Sequence, residues 1–155
     1  MKIYSVDFEQ VVKNYKNYVS QMLDLDQIKM THQNEMEIFK KEMESIIASA
    51  NSGLIIDENT QKANIQRFKD LQMNASKKEN EFRTKFTEKQ NDIMESSFEE
   101  ISELINDYAS SEEIDMIVSK SQLIFAKAEF DLTDTVIGVL KERDLFYVNE
   151  MEKES

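Results

Sequence analysis

His32 is the one histidine among 155 residues and no cysteine accompanies it, so a histidine metal cluster, a proton relay and a thiolate nucleophile are all beyond the chain acting alone. The seam of a long helix often carries a single polar position, and His32 is expected to fill that structural role. Carboxylates are plentiful. Glu99, Glu100 and Glu103, or Asp24 and Asp26, could draw divalent cations, but they lack the loop spacing and turn glycine of a calcium site. They read as solvated helix faces. With no reactive constellation in view, the chain is read as not an enzyme, with no cofactor and no metal. The formal charge of −12, from 31 acidic and 19 basic residues, repels phosphate backbones and argues against nucleic acid as a partner.

The elements that position these side chains follow from composition and period. Proline is absent, glycine occurs twice and 32% of residues are charged, as in long helices with solvated faces. Val11, Tyr15, Tyr18, Met22, Leu25, Met36, Phe39, Met43 and Ile46 keep the alternating three-and-four spacing of a narrow helical seam, interrupted by Lys29 and His32. One helix from about Phe8 to Ala50 would reach roughly 60 Å at 1.5 Å per residue. It should stop near Asn51-Ser52-Gly53, where the glycine can adopt the left-handed conformation that closes a helix. A second helix starts after Asp57 or Asn59 and carries Ile65, Phe68, Ala75, Phe82, Phe86, Ile93, Phe98, Ile101, Ile105 and Tyr108.

Two such helices bury their stripes only against each other, so an antiparallel hairpin is predicted. Folding about Leu54 sets Lys29 opposite Glu79, an ion pair that would fix the register. Beyond Ser111 the pattern changes. Glu113–Val118 and Gln122–Ala126, separated by Ser119-Lys120-Ser121, read as a β-hairpin, and Lys2–Val6 as a third short strand meeting it at the base. Asp131 is the expected N-cap of a final helix bearing Leu132, Val136, Val139 and Leu140 on one face, and Asn149–Ser155 a charged, frayed tail. The fold class is α+β and predominantly helical: a long coiled-coil hairpin arm on a small β body. We expect a single domain over 1–155, with the body at 1–12 and 111–145, the arm at 13–110 and the tail at 146–155.

This order of elements resembles the Skp/OmpH family of holdase chaperones. The similarity is carried best by Glu113-Ile114-Asp115-Met116-Ile117-Val118, then Leu123-Ile124-Phe125-Ala126, then Asp131-Leu132-Thr133-Asp134-Thr135-Val136 with Leu140-Lys141 beyond. Ile3-Tyr4-Ser5-Val6-Asp7, with Val11 and Val12, matches the family's first strand and short helix. The resemblance implies a homotrimer whose bodies combine their strands, through Ile3, Val6, Ile114, Met116, Val118, Leu123 and Phe125, and whose arms surround a cavity. It further implies an ATP-independent holdase that binds unfolded client proteins there. A base of three short strands and one helix is too small to bury much apolar surface alone, which independently favours association.

Within the arm, Met22, Met36 and Met43 lie on the seam, whereas Met30 and Met73 lie off it and are candidate client contacts, since thioethers repack around varied partners. Leu54, Ile55 and Ile56 at the tip either staple the turn or meet client. The alternative reading is a structural coiled-coil spacer, a scaffold or virion component of bacterial or phage origin, built on the same trimer. The first eight residues hold no signal-peptide core and no stretch approaches 18 apolar residues, so no membrane span is expected. The location expected from this is cytoplasmic or virion-associated, or periplasmic for a mature exported form.

Overall fold

The computed structural model describes residues 1–53 and 57–149. In chain order these form β1 (Ile3–Val6), α1 (Phe8–Lys13), α2 (Lys16–Ala50), α3 (Glu58–Ser111), β2 (Met116–Ser119) and α4 (Thr133–Glu142), with single 3-10 turns at Lys120–Gln122 and Ala128–Phe130. Two compact units divide them: residues 1–24 with 90–155, and residues 25–89.

The first unit is built around a core of Val6, Val11, Val12, Tyr15, Ile101, Leu104, Ile105, Val136, Ile137 and Leu140, drawn from β1, α1, the far end of α3 and α4. Each side chain of this size contributes about 1.5–3 kcal/mol when fully removed from water. β1 and β2 form a parallel pair in register from Ile3 opposite Met116 to Val6 opposite Ser119. The β-hairpin expected within 113–126 is therefore corrected: β2 takes β1 as its partner, and residues 123–126 have no strand partner among the described residues. Ser119-Lys120-Ser121 lacks the glycine or Asn-Gly that tight hairpin turns favour: Ser119 ends β2 and Lys120 opens a 3-10 turn.

The helix expected to run unbroken from Phe8 is interrupted. Asp7 caps α1 by accepting from the Gln10 N–H at 3.1 Å, and α1 ends at Asn14, whose side chain donates back to the Gln10 carbonyl at 2.9 Å. α2 then starts afresh at Lys16. Its first N–H donates to the Leu145 carbonyl at 2.7 Å, and the Tyr147 N–H donates to the Asn14 carbonyl at 2.9 Å. The segment after α4 thus satisfies the broken backbone, and Tyr15 bridges to Phe146. α4 begins two residues after Asp131, with Leu132 in the cap position. Asp131 serves the helix start from one residue further out, accepting from the Thr133 N–H at 2.9 Å and from Lys120 Nζ at 2.7 Å.

The second unit is the antiparallel pairing of α2 with α3. Gly53 has φ +74°, the left-handed conformation expected of it, and Asp57 caps α3 by accepting from the Thr60 N–H at 2.6 Å. Leu25, His32, Met36, Phe39, Met43 and Ile46 from α2 turn inward, as do Phe68, Leu71, Ala75, Phe82 and Phe86 from α3, while Ile65 is exposed. Glu42 pairs with Arg67 and Glu35 with Lys78, each at 3.6 Å. The expected Lys29–Glu79 pair is not formed: Glu79 pairs with His32 instead, and Lys29 is exposed. The register differs by three residues, close to one helical turn. A flat imidazole that stacks on Phe82 can be buried there at far less cost than an ammonium group.

Candidate functional site

Two sets of side chains stand out by what they leave uncovered. On the second unit, the inward seam is tied off by polar groups. His32 Nε2 lies 2.6 Å from Glu79 Oε2, its ring stacks on Phe82 with centroids 3.8 Å apart, and Phe82 meets Phe86 at 5.4 Å. The hydrogen bond from His32 is the main reason the Glu79 carboxyl is held below its ordinary value, with Arg83 adding to it. Outside the seam, apolar side chains face water: Met30 is 56% and Met73 70% exposed, and Ile28, Ile38, Ile47 and Ile65 join them. Ile65 was expected on the seam and is half-exposed instead, whereas Ile28, Ile38 and Ile47 were not singled out in the sequence. Leu54, Ile55 and Ile56 lie outside the described residues.

On the first unit, the residues expected to build a shared body divide in two. Val6 is buried, and Ile114 and Val118 are half-buried, within the single chain. Ile3, Met116, Leu123 and Phe125 are exposed, Phe125 to 80%, and Ile124 beside it is fully exposed. A hollow of about 440 Å³ runs along β2, lined among others by Val6, Ile105, Ile114, Ile117 and Val118. Phe98, exposed on α3, packs at a tilt against Phe8, with ring centroids 4.5 Å apart.

Two polar clusters hold this unit together. The Tyr15 hydroxyl donates to Glu100 and accepts from Asn17 Nδ2 at 3.1 Å, and burial first, then the Glu100 bond, pushes the phenol up to about 12. Lys120 and then Thr133 hold the Asp131 carboxyl down at about 2. The first cluster joins α1–α2 to α3 across 85 positions, and the second ties the turn after β2 to the start of α4. Among the described residues no three histidine, aspartate or glutamate side chains are grouped to hold a metal.

Charge is partitioned between the units. Residues 25–89 carry 11 acidic and 11 basic side chains, so the whole excess of −12 belongs to the other unit. Residues 90–119 hold nine of those acids and no lysine or arginine.

The chain thus contains a helical hairpin with scattered exposed methionine and isoleucine side chains, and a small α+β unit whose Leu123–Phe125 segment is uncovered. The model of the family described as "Outer membrane protein (OmpH-like)" matches residues 2–140, and the chain belongs to that family. Its fold is that of a solved protein from Caulobacter crescentus CB15, described as an OmpH-like candidate outer membrane chaperone. The TM-score is 0.72 at 10% identity, over 96% of this chain and 88% of that one. No curated protein matches the chain. No helix among the described residues is long and apolar enough to cross a membrane.

Proposed function

We propose that this chain is an ATP-independent holdase chaperone, acting as a homotrimer that keeps unfolded client proteins from aggregating. The observation that carries the reading is the set of exposed methionine and isoleucine side chains on the second unit, with Met30 and Met73 more than half exposed on helices whose seam is already filled. Flexible thioethers and scattered branched side chains suit many weak, adaptable contacts with unfolded segments, which sum to useful affinity when several hairpins act together. Family membership and the fold shared with the Caulobacter protein support the same role. The equal charges on this unit make apolar contact, rather than net charge, the basis of its grip.

Self-association is supported by the uncovered Leu123–Phe125 segment and by the small sheet. A two-stranded sheet is a marginal unit, and an exposed apolar segment beside it gains by pairing with another copy. Ile3, Met116, Leu123 and Phe125 would then lie in the contact between subunits. Light scattering after size exclusion should give three times the 18.2 kDa subunit mass, and substoichiometric trimer should suppress aggregation of a diluted unfolded protein. A monomer would sink the shared body. A trimer that leaves aggregation unchanged would point instead to a structural spacer.

A further inference from the structure

We propose that the groove formed by α1, the start of α2 and the C-terminal half of α3 receives residues 123–125 of a second copy, so that every chain gives one segment and takes one. This pairing presupposes the self-association proposed above and gives it a seat on each chain.

Phe8 and Val12 from α1, Tyr18 from α2 and Met94 and Phe98 from α3 line a hollow of about 340 Å³. Val12 belongs to the buried core beneath, whereas Met94 is 47% and Phe98 57% exposed. Phe98 tilts against Phe8, and more than half of its surface is still uncovered. An aromatic floor of this kind suits another aromatic ring, set offset or edge-on, or a branched side chain. Ser119 and Ser121 stand on one rim, where their hydroxyls bond each other at 2.8 Å.

The segment that fits this floor begins beside that rim. Ile124 is fully exposed and Phe125 80% exposed, so neither enters the groove of its own chain, although Ser121 lies only three residues before Ile124. Charge matches the segment to the groove. Residues 120–128 hold Lys120 and Lys127 and no acid, while residues 90–119 hold nine acids and no lysine or arginine. Lys120 is held by Asp131 at 2.7 Å, and no salt bridge among the described residues includes the exposed Lys127. On the receiving side, Asp7 and Glu9 line the groove, with Lys13 paired to Glu9 at 3.0 Å, and the exposed Glu95 and Glu99 follow Met94 and Phe98 in the chain. Two copies repel each other as wholes, yet at this contact an apolar segment ending in a lysine meets an apolar floor among carboxylates. Giving and receiving surfaces differ, so the contact is head-to-tail, and repeated by a rotation it closes into a ring.

The chain has no cysteine, so introduced thiols report contacts without background. A disulfide forms only between residues whose Cα atoms come within about 7 Å. In the full-length chain carrying F98C and F125C, mild oxidation should give a covalent three-subunit band on a denaturing gel. F125C should bond to F98C faster than to M116C, which lines the other hollow, along β2. F98S leaves the segment intact and removes part of the floor. It should raise the concentration at which the oligomer dissociates about 10-fold, with the helical circular dichroism signal unchanged. An oligomer in which F125C prefers M116C, bonds within its own chain, or is indifferent to F98S overturns the groove and leaves the self-association standing. An oligomer in which unfolded client, and not the neighbouring subunit, shields the F98C thiol from alkylation gives the groove to client and overturns the seat equally. A monomer at every concentration overturns self-association and seat together.

Discussion

Asp131 shows how much a single carboxylate can organise. It draws Lys120 from the turn after β2 and caps Thr133 at the start of α4, while the neighbouring Leu132 N–H reaches the Ser5 carbonyl at 2.8 Å. Replacing it with asparagine removes the charge and should cost about 1 kcal/mol in denaturant unfolding, a modest figure because the Lys120 end of the pair is exposed. The same contact sets an acid limit. The folded carboxyl is held near 2 against an ordinary 3.8, so its stabilisation is whole above that ordinary value and drains away as pH falls toward 2. Acid titration of D131N should lack that component. Gly53 is the counterpart in backbone terms: at φ +74° with no atom within 4 Å of an added Cβ, Gly53→Ala meets conformational strain and no clash. A loss of about 1 kcal/mol, read by thermal melting, is expected. Gly53 and Asp57 were legible because such roles depend on one residue type at one position. The His32–Glu79 pairing was not, because register is decided by many small contacts along two helices, and an offset of one turn keeps nearly the same stripe inward.

The long helices were readable as elements because a period of three and four repeated over dozens of residues leaves little else that the chain could form. Their interruption at Asn14 and Tyr15 was not, since the groups that repay the broken backbone come from Leu145 and Tyr147, at the far end of the sequence. The strands show the same division. Residues 116–119 and 122–126 both have strand composition, and local pattern cannot say that one pairs with β1 while the other has no partner among the described residues. That leftover segment is where association should be sensitive. Changing Ile124 and Phe125 together to serine removes apolar surface that the single chain leaves exposed. It should therefore lower the apparent mass in sedimentation while leaving the helical circular dichroism signal unchanged.

At the scale of the whole molecule, charge opposes the proposed association of copies. Each chain brings −12, all of it outside residues 25–89, so bodies that associate must overcome mutual repulsion. Salt shortens the reach of that repulsion to about 8 Å at physiological ionic strength. Association measured by light scattering should tighten as salt rises from about 0.01 M to 0.15 M, whereas capture of an uncharged unfolded client should change little over that range. Weaker association at the higher salt would mean that attraction between opposite charges, not apolar contact, joins the subunits. The parallel pairing of the first strand with the second has a separate consequence, in time. Lys2 and Asp115 meet across 113 positions, so on a ribosome adding 5–20 residues per second the N-terminal strand emerges roughly 6–20 s before its partner has been made. During that interval both long helices are synthesised, while Ile3 and Val6 remain without their strand partner. Among the described elements, the strand made first is thus among the last to be completed.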